Sequence, residues 1–84
     1  MMKMFFTLVA ELKDLKMNRI KEVLEKKGIK QIWLAEQLGK SYNMVNSYAQ
    51  NRRQPSLDDL YKIAEILNIE AKDLLVERKN IKDK

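Results

Sequence analysis

Apolar residues recur every three or four positions along most of this chain, which is the spacing of amphipathic α-helices. The pattern stops at Gly28, Gly39 and Pro55, and glycine and proline are the residues that most often end helices or start the connections between them. The intervals between these breaks are short. The sequence therefore predicts an all-α fold, with five short helices in a compact domain and a helical extension before it.

The predicted organisation has three parts: a helical extension over residues 1–17, a folded domain over residues 18–76 and a polar tail over residues 77–84. The apolar residues of the extension share one helical face: Phe5, Leu8, Leu12 and Leu15. This face is rotated by roughly 80° from that of the next helix, so we expect a break near Met17, with Asn18 as the next N-cap. Translation from Met17 instead of Met1 is an alternative that the sequence leaves open.

Residues 31–48 have the pattern of two short helices joined by a tight turn. The first helix has its apolar face at Leu34, Ala35 and Leu38. Gly39 ends this helix, and Ser41 is a favourable N-cap for the second. The second helix has two inward positions: Val45 and Tyr48. This spacing predicts a helix-turn-helix, whose second helix keeps a polar outer surface that fits the major groove of DNA.

A fourth helix is predicted to start at Ser56, with Asp59 at the capping-box position three residues later. Its predicted buried face consists of Leu57, Leu60, Ile63, Ala64 and Leu67. Asn68 suits the end of this helix, because asparagine tolerates the left-handed conformation found there. A short fifth helix is predicted over residues 69–75, and two of its residues are expected to close the core: Leu74 and Leu75.

Positive charge is concentrated around the predicted helix-turn-helix. The whole chain has 17 basic and 12 acidic residues, which gives a net charge of +5. Residues 26–55 contain six of the basic residues and one acidic residue, Glu36, whereas the rest of the chain is balanced. The excess charge therefore coincides with the motif, as expected for a phosphate-binding surface. Chance clustering on a solvated surface is the alternative.

Composition argues against several other classes of protein. Histidine and cysteine are absent, no glycine-rich phosphate loop is present, and no paired carboxylates mark a cleft, so we do not expect an enzyme. Without cysteine there are no disulfides or thiolate metal sites, and we expect neither a metal nor a cofactor. No segment has the ~20 apolar residues of a membrane span. We therefore predict a cytoplasmic protein with no membrane partner.

Several short motifs occur together in residues 18–75: Gln31 at the start of the second helix, Leu34-Ala35, Leu38-Gly39, Val45, Tyr48, the RRQPS segment and the apolar pattern of the fourth helix. In this combination the chain resembles the phage-repressor/Cro-type helix-turn-helix domains, known as the XRE family. The resemblance implies a lambda-repressor-like domain that binds double-stranded DNA. It also implies a transcriptional regulator, with repression as the expected direction, acting as a homodimer on an inverted repeat.

Three features depart from the family pattern. Lys40 occupies a turn position where an apolar or small residue is also common, and Asn51 replaces the usual glycine after the recognition helix. Leu24 and Ala49 occupy the positions where the family often pairs an arginine with a glutamate. An apolar contact would replace that pair at little cost, since surface ion pairs contribute only ~0–1 kcal/mol. Asparagine is the next best residue after glycine for a left-handed position.

The outer face of the predicted recognition helix offers uncharged hydrogen-bonding groups to DNA bases. The predicted base-reading residues are Tyr42, Asn43, Asn46 and Ser47. Asparagine can form a bidentate pair with adenine N6 and N7, which contributes about 1–3 kcal/mol of discrimination, and Asn43 is the first choice for this role. A merely solvent-facing helix surface is the alternative, although Asn, Tyr and Ser are weak helix formers.

The predicted phosphate-binding residues lie around that helix: Gln31, Lys40, Ser41, Asn51, Arg52 and Arg53. Gln31 and Ser41 are at helix starts, where unpaired backbone N–H groups favour anions. The lysine and the arginines supply charge. For Ser41 an N-cap role alone is the simpler explanation, and for the arginine pair a solvated loop is the alternative.

Contacts with another protein are predicted on different residues: Phe5, Leu8, Leu12 and Trp33. Trp33 lies outside the core face of its helix, so we expect it to pack against the extension or a second subunit. Partial burial within its own domain is the alternative. A second candidate function is therefore an antitoxin-like or other protein-binding module that masks a partner and binds DNA secondarily.

Overall fold

Four α-helices follow one another in the computed structural model, which describes residues 16–77. They are α1 (Ile20–Lys27), α2 (Gln31–Leu38), α3 (Tyr42–Ala49) and α4 (Leu57–Leu67). A 3₁₀ turn, Ala71–Leu74, follows α4. The described chain is therefore helical, as predicted, with four α-helices instead of five. The predicted helix of the extension, with Phe5, Leu8 and Leu12, lies outside the described residues.

Left-handed residues end the helices where the sequence predicts them. Gly28 after α1 and Gly39 after α2 have φ angles of +70° and +75°. A Cβ atom at either glycine would meet nothing within 4 Å, so the backbone angle and not the available space favours glycine there. Asn51, just after α3, and Asn68, after α4, have φ angles of 61° and 59°. Both asparagines are therefore confirmed as left-handed helix ends.

One apolar core joins all four helices and the 3₁₀ turn. Its buried residues are Ile20, Leu24, Leu34, Ala35, Val45, Tyr48, Ala49, Leu60, Ile63, Ala64, Leu67 and Leu74. Helix α2 packs closely against both α3 and α4, and α1 packs against α3. Leu24 and Ala49, which occupy the positions of an ion pair in related sequences, are 2% and 3% exposed. In this protein, two buried apolar side chains therefore occupy the positions of that ion pair.

Two leucines predicted to be buried face solvent. Leu57 is 68% exposed because it is the first residue of α4, before the face of that helix reaches the core. Leu74 is fully buried, but Leu75 is 45% exposed. The predictions for Leu57 and Leu75 were therefore wrong.

The predicted fifth α-helix is a single 3₁₀ turn. Glu70 and Asp73 form a reciprocal capping box around it, in which the Glu70 N–H donates to the Asp73 carboxylate at 3.2 Å. The chain then becomes extended at Leu75, which forms an antiparallel bridge with Asn18. Because the backbone groups after Leu74 pair with the chain before α1, the helix does not continue.

Two predicted caps differ in detail from the structure. The N-cap position of α1 is Arg19, one residue later than predicted, although Asn18 Oδ1 still accepts the Ile20 N–H at 3.0 Å. Ser56 caps α4, since its Oγ accepts the Asp59 N–H at 3.1 Å. The Asp59 carboxylate pairs with Lys40 at 3.3 Å and does not complete the predicted capping box.

Candidate nucleic-acid interface

A short turn fixes the angle between α2 and α3. The Gly39 N–H donates to the Glu36 carbonyl at 3.3 Å, and the Lys40 N–H donates to the Ala35 carbonyl at 3.0 Å. These bonds satisfy two carbonyl groups in the last turn of α2. Ser41 Oγ then accepts the Met44 N–H at 3.1 Å and caps the start of α3. The two helices of the predicted motif are therefore joined by a hydrogen-bonded turn.

Helix α3 has one buried face and one polar face. Val45, Tyr48 and Ala49 are at most 5% exposed and pack into the core. The four predicted base-reading residues lie away from that face: Tyr42 and Asn43 are exposed, and Asn46 and Ser47 are half-buried. The structure therefore places the accessible polar groups at the N-terminal end of α3, which is the end that enters a groove in helix-turn-helix proteins.

The two arginines after α3 are exposed cations. The backbone N–H groups of Arg52 and Arg53 donate to the Ser47 carbonyl at 3.0 and 3.3 Å, which holds this loop against the last turn of α3. Neither arginine has an acidic partner within residues 16–77, and the Arg53 guanidinium contacts Met44 Sδ at 3.7 Å. Both side chains are thus available to an anion.

Four ion pairs occur within residues 16–77, and two of them involve cations near the ends of α3 and α1. Lys40, at the opposite end of α3, binds the Asp59 carboxylate at 3.3 Å. On α1, the Arg19 guanidinium donates to the Glu22 carboxylate at 2.9 Å, and this hydrogen bond lowers the pKa of Glu22. A phosphate at Lys40 would have to replace Asp59, whereas Arg52 and Arg53 need no such exchange.

Two other predicted phosphate ligands, Gln31 and Asn51, differ in the hydrogen bonding of their side chains. Gln31 is the first residue of α2 and is half-buried; its Oε1 is buried and has no hydrogen-bond partner. The half-buried Asn51 side chain hydrogen-bonds to Met17, Asn18 and Gln54. A phosphate at the Asn51 side chain would therefore compete with these internal partners.

The residues predicted to bind another protein are only partly described. Trp33 on α2 is 41% exposed and its neighbour Ile32 is 53% exposed. Phe5, Leu8 and Leu12, its predicted neighbours, fall outside residues 16–77.

Asn18 is the main residue of this region that the sequence pattern did not single out as more than a cap. It is 2% exposed and hydrogen-bonds to Tyr48 and Gln54, which lie 30 and 36 positions further along the chain. The nearest sequence signal is an asparagine just before an apolar helix, which predicts only a local cap. Contacts so distant in the chain leave no periodic pattern.

The fold and this surface define a helix-turn-helix protein in which the polar face of α3 lies next to exposed arginines. The helix-turn-helix family model HTH_3 matches residues 20–74, and the chain belongs to this XRE-type family. The chain is similar to a candidate DNA-binding protein from Bacteroides fragilis whose crystal structure is known. The two sequences are 47% identical, and the two structures superpose with a TM-score of 0.71. The match covers 74% of this chain and 100% of that one. No curated protein matches this chain.

Family membership supports a DNA-binding, regulator-like role and points away from an enzyme. Within residues 16–77, no helix is long and apolar enough to cross a membrane. The same residues bring together no cluster of acidic side chains that could hold a metal ion.

Proposed function

We propose that this protein is a sequence-specific regulator of transcription, and a repressor, that inserts α3 into the major groove of double-stranded DNA. The observation that supports this function best is the division of α3 into a buried apolar face and an accessible uncharged polar face. Uncharged amide and hydroxyl groups can distinguish base edges by hydrogen bonding in the major groove. The base-reading residues proposed are Tyr42, Asn43, Asn46 and Ser47.

Phosphate contacts hold that helix in register in this proposal. Arg52 and Arg53 supply charge after α3, and Ser41 and Lys40 lie just before it. Gln31 contributes from the start of α2, where backbone N–H groups are available to an anion. Contacts of this kind position the protein without selecting sequence.

Selection of bound duplexes from a random DNA pool tests this function. We expect a selected duplex to bind at least about 10³-fold more tightly than a scrambled one of equal length, measured by fluorescence anisotropy at fixed salt. The single strands of the selected duplex serve as a control and should bind more weakly. Equal affinity for selected and scrambled duplexes, or no binding to any duplex at low ionic strength, contradicts the proposal.

We also propose a homodimer on an inverted repeat, with the apolar residues Phe5, Leu8 and Leu12 contributing to assembly. Sedimentation of the full chain and of a chain lacking residues 1–16 tests this hypothesis. The truncated chain is expected to be monomeric and to bind an inverted repeat no better than a single half-site. If it still self-associates and binds with unchanged affinity, the extension has no part in assembly.

The alternative function, an antitoxin-like or other protein-binding module, is favoured by the exposure of Trp33 and Ile32 on α2. In that case a Trp33→Glu variant should lose a co-purified partner encoded by an adjacent reading frame but keep its affinity for duplex DNA. A variant that loses DNA binding and retains the partner contradicts this alternative.

A further inference from the structure

The chain that leads into α1 is held by groups from the end of α3 and the loop beyond it. Asn18 is central to this contact and is 2% exposed. Its Nδ2 donates to the Tyr48 carbonyl at 3.0 Å and to Gln54 Oε1 at 2.7 Å. Its Oδ1 accepts the Ile20 N–H at 3.0 Å. One buried amide thus contacts the start of α1, the last turn of α3 and the following loop.

Asn51 makes the same connection from the side of the loop. Its Oδ1 accepts the backbone N–H groups of Met17 at 2.8 Å and Asn18 at 2.9 Å. Its Nδ2 donates to the Asn18 carbonyl at 3.1 Å, so the side-chain amide pairs with the backbone as a neighbouring strand would. Gln54 Nε2 donates to the same Oδ1 at 3.1 Å. The side chains of Asn18, Gln54 and Asn51 are hydrogen-bonded in that order, and Asn51 bonds back to the Asn18 backbone. This closed set of hydrogen bonds is called here the amide clamp.

The backbone at Asn51 does not by itself require an asparagine. Its φ angle of 61° is one that glycine adopts without steric cost. Asparagine tolerates the same angle and adds a side chain with hydrogen bonds to Met17, Asn18 and Gln54. Compared with glycine, asparagine at position 51 therefore adds the hydrogen bonds of the clamp.

We propose that Asn18, Asn51 and Gln54 are positioning residues for DNA binding: the amide clamp sets the orientation of the end of α3 and of the arginine loop relative to α1. The inference rests on the proposed DNA-binding function. Helix α3 has only eight residues. The Ser47 carbonyl in its last turn accepts the backbone N–H groups of Arg52 and Arg53, so the arginine loop moves with this end of the helix. A tilt of that end therefore moves the base-reading and phosphate-binding groups together.

A tilt of this kind matters because binding groups must be held within about 0.5 Å of their productive positions. The core fixes Val45, Tyr48 and Ala49, which lie on the inner side of α3. The clamp binds the backbone at the Tyr48 carbonyl and the loop at Asn51 and Gln54, on the side next to α1. The two sets of contacts together restrict rotation about the helix axis.

The Asn51→Gly variant tests the clamp because glycine keeps the left-handed backbone and removes only the side chain. Asn68→Gly is the matched control: Asn68 has a φ angle of 59°, is exposed and ends α4. Both variants replace a left-handed asparagine by glycine. Any difference between them therefore reports the clamp contacts of Asn51.

Two measurements follow, at a temperature where all proteins are folded. In the free protein, amide hydrogen exchange of the Asn18 N–H should accelerate at least about tenfold in Asn51→Gly and remain unchanged in Asn68→Gly. In complexes, Asn51→Gly should lose about tenfold in affinity for the selected duplex and less than about twofold for a scrambled duplex. If Asn51 were needed only for stability, the ratio of the affinities for the selected and the scrambled duplex would be unchanged in folded protein.

Asn18→Asp provides a second variant that separates the clamp from helix capping. The aspartate keeps the oxygen that accepts the Ile20 N–H but cannot donate to the Tyr48 carbonyl or to Gln54 Oε1. We expect the same loss of selectivity as in Asn51→Gly. If Asn18→Asp binds the selected duplex as tightly as the wild type, the positioning role is wrong.

The remaining outcomes distinguish this inference from the proposed function. If the wild type selects a duplex but Asn51→Gly binds it as Asn68→Gly does, the positioning role is overturned and the proposed function is retained. If the wild type binds no duplex, both are overturned, even when hydrogen exchange detects the clamp. Unchanged exchange at Asn18 in Asn51→Gly overturns the clamp directly.

Discussion

Asn43 and Asn51 lie near opposite ends of α3, and their side chains have different surroundings. The Asn43 side chain is exposed on the polar face of α3, whereas that of Asn51 is hydrogen-bonded to residues 17, 18 and 54. The sequence predicts the left-handed backbone of Asn51 because local turn chemistry determines it. It does not predict the side-chain partners at residues 17 and 18, because they are brought close only by the folding of the whole domain.

Replacing Asn43 by alanine should relax base preference at one position of the bound DNA. The lost bidentate contact is expected to reduce discrimination there by about 1–3 kcal/mol, while the other positions keep their preference. Repeating the selection from random DNA with Asn43→Ala measures this change, and Gln37→Ala, an exposed amide of α2, is the control. A uniform loss of preference at every position would show that Asn43 does not read a base.

The pairing of Lys40 with Asp59 predicts that removal of the carboxylate strengthens DNA binding. Asp59→Asn keeps the backbone N–H that Ser56 accepts but frees Lys40 to bind a phosphate. The salt dependence, plotted as log affinity against log salt, should become steeper by about 0.9. Asp58→Asn is the control, because Asp58 pairs with Lys62 at 3.3 Å on an exposed part of the same turn. Equal steepening in both variants would mean that only net charge matters.

At the scale of elements, α3 depends on its cap because it has only eight residues. Ser41→Ala removes the acceptor of the Met44 N–H and should lower the free energy of unfolding by about 1 kcal/mol. The corresponding loss in Tm is about 4–8 °C for a domain of this size, measured by circular dichroism. Ser47→Ala, in the interior of the same helix, should not lower Tm, since alanine is the better helix former. A similar drop in both variants would contradict the cap assignment.

Helices with strong local signals were predicted, and the element that depends on distant pairing was not. Gly39, Ser41 and Ser56 mark helix boundaries through their own backbone and side-chain chemistry, and the structure has helix ends at each of them. Residues 69–75 lack such a local stop. There the helical conformation ends at Leu75, because the chain pairs with the backbone around Asn18. The spacing of apolar residues does not predict such a pairing between distant segments.

At the scale of the whole molecule, the exposed arginines after α3 should dominate the salt dependence of DNA binding. Arg52→Ala combined with Arg53→Ala is expected to weaken binding to selected and scrambled duplexes alike and to flatten the log–log salt slope by roughly one to two units. Anisotropy titrations between low and moderate salt measure the slope.

The matched control removes two other cations, through Lys62→Ala and Lys72→Ala. These lysines pair with Asp58 and Glu70 on exposed surface, so the double variant changes net charge equally without touching the loop after α3. If it flattens the slope as much, overall charge and not the arginine loop controls the dependence on salt.

The bridge between the start and the end of the domain has a consequence for protein synthesis. The Arg19 N–H donates to the Leu74 carbonyl at 2.8 Å, and the Val76 N–H donates to the Met17 carbonyl at 3.2 Å. A nascent chain on the ribosome cannot form these bonds until Val76 has left the exit tunnel. Resistance to protease is therefore expected to arise only after Val76 has emerged and can pair with Met17.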